Sequence, residues 1–286
     1  RTTESLYAMK IFSRDLLKKK KHGLNSETFF EDIKREIAIM KKLLHPNVLR
    51  LYEVLDDPKV NKMYLVLEYM KNGDLFTLLE REQKKSDEQN NGEPKKDKKG
   101  MTPLAEGEIW NIFRQVSAGI RYLHHQNVVH GDIKPQNLLV SESGLIKIAD
   151  FGISKMLLDG SQQMTDGAGT PAFMSPELCA GQAFSGQLAD VWALGATMFM
   201  LKYGNPPWIH SNVLMLYNKI QTEPLVFPPD IPIDTKFRDL LTRMMDKDPT
   251  KRISIQDTLQ SEYFRQPPPP MVQQALKFAN TRPVTG

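Results

Sequence analysis

Two polar segments and the stretch between them constrain the fold of this chain more than any other part. The first is 130–137 (HGDIKPQN), in which Asp132 and Asn137 stand five residues apart, and the second is 150–152 (DFG). Between them, the hydrophobic runs 137–140 and 145–149 predict two short strands joined by the turn 141–144. Such a hairpin would bring Asn137 and Asp150 together at its open end.

These segments contain the groups that phosphoryl transfer requires: a carboxylate, a cation and oxygen ligands for magnesium. Asp132 is the candidate catalytic base, which would accept a hydrogen bond from the attacking hydroxyl, and Lys134 would neutralise charge on the moving phosphate. Asn137 and Asp150 offer the hard oxygen atoms that suit Mg²⁺ held partly by nucleotide phosphates. The alternatives are an ordinary charged surface loop for the first segment and a simple turn residue for Asp150.

Further motifs follow along nearly the whole chain in the order found in eukaryotic protein kinases, and the chain resembles the Ser/Thr branch of that family. The matching segments are 7–10 (YAMK, similar to V-A-I-K), 175–177 (SPE, similar to A-P-E), 190–195 (DVWALG) and 248–252 (DPTKR). Lys134 and the segment Gly169-Thr170-Pro171 favour Ser/Thr over Tyr specificity. The resemblance implies an α+β, two-lobed kinase fold with a small β-rich N-lobe and a mostly helical C-lobe. It also implies ATP and Mg²⁺ as cofactors and a protein substrate with Ser or Thr.

A narrower resemblance is to the calcium/calmodulin-dependent protein kinase kinases, and to plant kinases that activate the AMP-activated-kinase homologue. The segments that carry it are 7–10, 36–43 (EIAIMKKL), 53–58 (EVLDDP), 169–174 (GTPAFM) and the His-Gly-Asp form of 130–132. Both groups phosphorylate the activation loops of other kinases. The resemblance therefore implies that the substrate is another kinase, and that calmodulin would bind through segments outside this chain.

The family pattern also implies a nucleotide site. Lys10 would contact the α- and β-phosphates and be oriented by Glu36, for which a solvated helix charge is the alternative because Glu31 and Asp32 are near. The other expected contacts are with adenine or ribose: Ala8, Leu67 as gatekeeper, Glu68 and Met70 in the hinge, Asp74 at the ribose, and Leu139. For Ala8, Leu67 and Leu139, ordinary core packing is an equal alternative.

A further set of residues is expected to have structural or regulatory roles. His130 and Asp190 would brace the catalytic loop, while Met40, Leu51, Phe151 and His130 would stack into a spine across the lobes. Glu177 and Arg252 would form a buried ion pair, with a surface pair as the alternative. Gly152 and Thr170 complete this set as members of their motifs.

One departure from the family pattern concerns regulation. Kinases usually have arginine where Gly131 stands, and that arginine binds a phosphate on the activation loop. Without a guanidinium, such a phosphate loses its bidentate partner. Asp166 lies near the position of the phosphorylated threonine in related kinases, and Thr165 adjoins it. The glycine at 131 and the acidic residue at 166 therefore predict an enzyme that is active without phosphorylation of its activation loop.

Composition excludes several other classes of protein. The chain has 286 residues, 40% of them hydrophobic, and a net charge of +4 that comes mainly from the lysine runs 18–21 and 95–99. These runs lack the interleaved aromatic residues of a nucleic-acid site, so solvated loops are favoured over a nucleic-acid-binding module. The single cysteine, Cys179, fits a reducing compartment, and neither a membrane span nor a signal peptide is evident. We therefore expect a cytoplasmic protein, with the nucleus as a second compartment.

The chain divides into three predicted parts: a partial N-lobe (1–70), a C-lobe (71–265) and a Pro-rich tail (266–286). Residues 80–100 are almost devoid of apolar side chains and predict a disordered charged insertion. The first two strands and the Gly-rich loop of a kinase have no counterpart before Lys10, which predicts that the chain is a fragment. The rival interpretation is a kinase-fold scaffold that binds partners without catalysis.

The predicted helices and strands complete the interpretation. Strands are expected at 5–12, 48–55 and 63–68. Helices are expected at 26–44, from Pro103 onwards, and at 186–201, 213–221 and 235–245.

Overall fold

The N-terminal lobe is a three-stranded antiparallel sheet with one helix packed on it. In the computed structural model, which describes residues 6–13, 29–57, 59–81, 104–157, 163–164 and 168–267, the strands are β1 (Tyr7–Ser13), β2 (Leu51–Asp56) and β3 (Lys62–Glu68), in the order β1-β3-β2. Helix α1 (Phe29–Met40) lies against the sheet. Because side chains alternate along a strand, β1 points Ala8 and Lys10 to its covered face and leaves Tyr7 and Met9 exposed.

The apolar side chains of α1 contribute to both lobes. Ile33 and Ile37 pack with Met63 and Leu65 of β3 in a small N-lobe core. Met40, one turn further on, belongs instead to the large core of the C-terminal lobe. Because residues at i, i+4 and i+7 lie on one face of a helix, this face of α1 contacts both cores and connects them.

The predicted bounds of the N-lobe elements are partly wrong. Helix α1 ends at Met40, four residues before the predicted end, and Leu44 is 68% exposed rather than part of the buried face. Its backbone N–H bonds the Tyr122 hydroxyl at 2.8 Å, so this segment follows the C-lobe surface instead of the helix. Strand β2 begins at Leu51 because Val48 forms an isolated bridge with Ile148. Residues 26–28 lie outside the described part.

The C-terminal lobe is mostly helical and is built around one largely buried helix. Its helices are α2 (75–81), α3 (Glu106–His125), α4 (Pro176–Cys179), α5 (Gly186–Tyr203), α6 (Val213–Thr222), α7 (Thr235–Met244), α8 (Ile255–Leu259) and α9 (Glu262–Arg265). Helix α5 is buried on nearly all sides, with Trp192, Leu194 and Met198 at most 1% exposed. A helix that is apolar all round belongs in the centre of a domain, and from there Asp190 of α5 bonds the predicted catalytic loop, 130–137.

The predicted hairpin is confirmed. After the short strand β4 (Val128–Val129), strands β5 (Leu138–Val140) and β6 (Ile146–Ile148) pair in antiparallel register, with Leu138 opposite Ile148. The Ala149 N–H bonds the Asn137 carbonyl at 2.9 Å, which places Asn137 and Asp150 at the same end. The remaining strands are β7 (Lys155–Met156), paired with β4, and β8 (Gln163–Met164), paired with β9 (Phe184–Ser185).

Other boundaries differ by a few residues. Helix α2 runs through residues 80 and 81, so the first two residues of the predicted insertion are helical, and 82–103 lie outside the described part. Helix α3 begins at Glu106 rather than Pro103, because Ala105 is extended and its N–H bonds the Glu108 carboxylate at 3.0 Å. The predicted bounds of α5, α6 and α7 are confirmed within two residues. The tail beyond residue 267 lies outside the described part. None of the described helices combines the length and apolar character that crossing a membrane requires.

Candidate active site

The catalytic loop is held from behind by a buried carboxylate. Asp190, 1% exposed, accepts the N–H of His130 at 2.9 Å and that of Gly131 at 2.8 Å, and also contacts His124 Nε2 at 2.9 Å. A buried carboxylate with three donors is well compensated. It therefore fixes the backbone just before Asp132.

His130 links this loop to the second motif. Its Nδ1 accepts the Asp132 N–H at 3.2 Å, so the ring proton lies on Nε2, which donates to the Ala149 carbonyl at 3.0 Å. Its ring packs edge-on against Phe151, with centroids 5.2 Å apart. Phe151 and Met40 belong to the same buried core, with Leu51 packed against it. Of the four residues predicted to form a spine, His130 and Phe151 are thus in contact, and Met40 and Leu51 belong to or pack on the same core as Phe151.

Asp132 lies in a compact polar cluster. Its Oδ1 accepts the Thr170 N–H at 3.0 Å and the Thr170 hydroxyl at 2.8 Å, while Oδ2 lies 2.5 Å from Lys134 Nζ and 3.0 Å from Asn137 Nδ2. Lys134 also donates to the Thr170 hydroxyl at 2.6 Å. Burial raises the pKa of Asp132, but hydrogen bonds from Lys134, Thr170 and Asn137 and the lysine charge outweigh it and lower the pKa below its ordinary value. The carboxylate is therefore ionised, and the pair Asp132–Lys134 already holds one hydroxyl group between them.

Asn137 and Asp150 present oxygen atoms at the end of the hairpin. Asn137 Nδ2 donates to the Asp132 backbone carbonyl at 2.8 Å as well as to its carboxylate, which leaves Oδ1 as the atom able to bind a cation. Asp150 has φ +65, and its carboxylate is 57% exposed and 4.0 Å from Lys10 Nζ. An amide and a carboxylate oxygen fit Mg²⁺, which uses few protein ligands beside nucleotide phosphates. The described residues contain no group of three or more His, Cys, Asp or Glu that could hold a metal alone.

Lys10 and Glu36 form the predicted ion pair between β1 and α1. The Nζ–Oε1 distance is 3.2 Å, and the carboxylate is almost fully buried whereas the lysine side chain is 41% exposed. Glu31 instead pairs with Lys34 on the surface at 3.0 Å. Of Glu31 and Glu36, Glu36 is therefore the one that points into the cleft, and the Asp32 side chain lies outside the described part.

The residues predicted to contact adenine lie around a small apolar cluster. Leu67, which pairs with Ala8 across β1 and β3, and Leu139 pack against a small cluster of Leu49, Met70 and Ala149. The Met70 N–H has no hydrogen bond to any residue in the described part. An apolar slot with a free backbone donor is typical of small-molecule sites.

Glu68, predicted in the hinge, and Asp74, predicted at the ribose, both have protein partners. The Glu68 N–H bonds the Arg50 carbonyl at 3.0 Å, and the Glu68 side chain lies 2.9 Å from Lys147 Nζ. Both oxygens of Asp74 accept hydrogen bonds from Thr77, at 2.9 and 2.8 Å, so Asp74 caps α2. A ribose hydroxyl would have to share that carboxylate.

The region that follows the catalytic loop contains a buried ion pair and a cavity. Glu177 and Arg252 form a bidentate pair at 2.7 and 2.9 Å, as predicted, and both side chains are buried.

Gly131, at φ +80, lines a cavity of about 360 Å³ that Arg35 of α1 and Lys155 of β7 also line. Two cations from other elements therefore face the space beside Gly131. Gly152 lies exposed beside Asp150, and Thr165 and Asp166 lie outside the described residues.

Sequence reasoning missed His124, the third partner of Asp190. The only signal in the sequence was the pair of histidines 124–125 at the end of an amphipathic helix. Two adjacent histidines show no helical periodicity of their own. A contact across 66 residues is not readable from such local pattern.

The two-lobed fold and the polar cluster around Asp132 are those expected of a protein kinase domain. A family model described as the protein kinase domain matches residues 1–264, so the chain belongs to the protein kinase family. Its curated relatives place it among Ser/Thr protein kinases, a family that uses ATP and typically Mg²⁺.

Three relatives illustrate the similarity. The calcium/calmodulin-dependent protein kinase kinase of Caenorhabditis elegans is 38% identical over 228 residues, which cover 79% of this chain and 38% of that protein. The serine/threonine-protein kinase GRIK1 of Arabidopsis thaliana is 38% identical over 251 residues, 87% of this chain and 57% of that protein. The serine/threonine-protein kinase ssp1 of Schizosaccharomyces pombe is 39% identical over 263 residues, which cover 88% of this chain and 37% of that protein. The chain spans from 33% to 57% of the length of the curated relatives it matches.

Proposed function

We propose that this chain is the catalytic domain of a Ser/Thr kinase whose protein substrates are other kinases, phosphorylated on their activation loops. The observation that carries the chemistry is the cluster in which Asp132 and Lys134 hold a hydroxyl group between a carboxylate and an ammonium. The likeness to a protein whose printed name is a kinase kinase supports the substrate class. Calmodulin, also in that name, would bind segments outside this chain.

Asp132 would orient the substrate hydroxyl rather than act as a strong base. A carboxylate with a lowered pKa takes a proton reluctantly. In phosphoryl transfer the transition state is loose, and positioning with electrostatic stabilisation contributes most of the rate. Asp132 would therefore accept the hydrogen bond of the hydroxyl and take its proton late, while Lys134 stabilises the moving phosphoryl group.

The residues of the cleft would hold ATP and magnesium. Lys10, held by Glu36, would bind the α- and β-phosphates, and the Met70 N–H and Glu68 carbonyl would bind adenine between Ala8 and Leu139. Asn137 and Asp150 would supply two of the magnesium oxygens. When bound, magnesium neutralises phosphate charge and fixes the orientation of the nucleotide.

The test is phosphorylation of a purified kinase domain by the full-length protein. The substrate would carry one threonine in its activation loop and an inactivating substitution of its own catalytic aspartate, and mass spectrometry would locate the phosphate. We expect transfer to that threonine by the wild type and none by Asp132→Asn, with nucleotide affinity nearly unchanged. Transfer to a generic Ser/Thr peptide but not to the folded kinase would contradict the substrate class, and no transfer to either would favour a scaffold.

A further inference from the structure

A second cavity lies at the back of the C-terminal lobe, away from the nucleotide cleft. Its volume is about 590 Å³, and it opens where the end of α3 meets the first turns of α5 and α8. It shares no lining residue with the cavity beside Gly131. A space of roughly 300–1,000 Å³ is typical of sites for small molecules.

The wall that α3 contributes is basic. Arg121, His124 and His125 line the cavity, and no aspartate or glutamate is among the described lining residues. Arg121 and His125 form no hydrogen bond or ion pair with any residue that the structure describes. Burial and then the charges of Arg121 and Lys147 lower the pKa of His45 nearby, which fits a positive charge on this side of the lobe.

His124 supplies an unused polar atom in the same wall. The residue is 8% exposed, and its Nε2 bonds Asp190 Oδ2 at 2.9 Å. A carboxylate only accepts, so Nε2 carries a proton, and in the neutral tautomer of the ring Nδ1 is an acceptor. Nδ1 has no hydrogen bond within the described part of the chain. A ligand that fits this wall needs anionic oxygens for Arg121 and a hydroxyl for His124.

We propose that this cavity binds a phosphate group with an adjacent hydroxyl, either hydrogen phosphate or a small phosphate ester. Phosphate oxygens match the fork of the Arg121 guanidinium, which can donate two parallel hydrogen bonds. The hydroxyl donates to His124 Nδ1. The apolar residues Leu188, Val191 and Ile255 also line the cavity and would contact the organic part of an ester.

The site is one side chain away from the catalytic loop. Asp190, which His124 holds, also accepts the N–H groups of His130 and Gly131 next to Asp132. A ligand on the other edge of His124 changes the position of that ring relative to Asp190. Occupancy therefore alters the turnover of the enzyme without contact with ATP.

The binding test uses calorimetry on the full-length protein with a non-hydrolysable nucleotide saturating the cleft. The probes are inorganic phosphate, glycerol 3-phosphate and, as the neutral control, glycerol. Arg121→Gln removes the cation, whereas Arg114→Gln removes an exposed arginine of the same helix that packs over Trp110 outside the cavity. Neither residue belongs to the candidate catalytic machinery.

We expect both phosphate probes to bind the wild type and Arg114→Gln equally, glycerol not to bind, and Arg121→Gln to bind at least about tenfold more weakly, or 1.4 kcal/mol. Tighter binding of the ester identifies an organic phosphate, and tighter binding of the free ion identifies phosphate itself. No binding at millimolar concentrations, or equal affinity in Arg121→Gln, overturns the site. A kcat that glycerol 3-phosphate leaves unchanged in the wild type overturns the link to the catalytic loop.

Discussion

Replacing Glu177 with glutamine should destabilise the C-terminal lobe strongly. The side chains of Glu177 and Arg252 are 5% and 0% exposed, and the pair is bidentate. Glutamine preserves the shape but leaves the guanidinium without a counter-charge, and breaking a buried pair in this way costs about 3–5 kcal/mol. Arg252 keeps bonds to the Asp246 and Leu188 carbonyls and lies 5.0 Å over the Trp192 ring. We therefore expect the lower end, about 3 kcal/mol.

Urea unfolding of the full-length protein, followed by tryptophan fluorescence, measures this cost. With a slope of about 3 kcal/mol/M, a loss of that size lowers the unfolding midpoint by about 1 M. The matched control is Glu142→Gln, which breaks the surface pair with Lys71, 57% exposed, and should leave the midpoint unchanged.

The same substitution has a predictable pH dependence. Burial raises the pKa of Glu177, but the hydrogen bonds and charge of Arg252 outweigh burial and lower the pKa below the ordinary 4.5. A lowered folded-state pKa gives stability that is complete above the ordinary value and is lost as pH falls through the lowered one. The difference between wild type and Glu177→Gln should thus be full at pH 7 and shrink below about pH 4.5. A midpoint shift under about 0.3 M at pH 7, or one equal at pH 7 and in acid, would refute the reasoning.

Three further predictions concern the candidate active site. Thr170→Val should lower kcat by about ten- to a hundredfold with KM for ATP little changed, because losing a hydrogen bond to charged groups costs about 1.5–3 kcal/mol; unaltered steady-state kinetics would contradict this. Asp150→Asn should weaken magnesium-nucleotide binding, measured calorimetrically, whereas Asp132→Asn should not; equal effects would mean that the two roles are wrongly divided. Gly131→Arg and Gly131→Ala should each destabilise the protein by about 1–2 kcal/mol in urea unfolding, because the site has φ +80; unchanged unfolding midpoints would contradict the strain at this position.

The Gly131 hypothesis also predicts a regulatory result. Complete dephosphorylation, verified by mass spectrometry, or Thr165→Ala should change kinase activity by less than about tenfold, or roughly 1.4 kcal/mol. Loss of nearly all activity would show that other cations bind the phosphate, and Arg35 and Lys155 beside Gly131 are the candidates.

Local sequence determined the elements whose signals lie within a few residues. The strands of the hairpin follow from two apolar runs around a tight turn, and their pairing necessarily brings Asn137 close to Asp150. Helices α5, α6 and α7 were predictable within two residues, because Ser185, Asn212 and Asp234 cap their starts and apolar residues continue to their ends. The motif spacings likewise placed Lys10, Asp132 and Asp150 in one family pattern before any contact was known.

Only the tertiary structure decided how these elements meet. Helix α1 ends at Met40 because the following segment bonds to Tyr122 of the C-lobe, a partner 78 residues from Leu44. Asp74 caps α2 and His124 holds Asp190, and neither contact has a periodic signal in the sequence. Hydrophobic periodicity records in the sequence which face of an element is buried. The hydrogen-bond partners of a polar side chain depend instead on which groups the fold brings near it, and these can be far away in the sequence. That is why the fold class and the meeting of the candidate site residues followed from the sequence, but the contacts of Asp190 behind the segment 130–137 and the basic cavity near them did not.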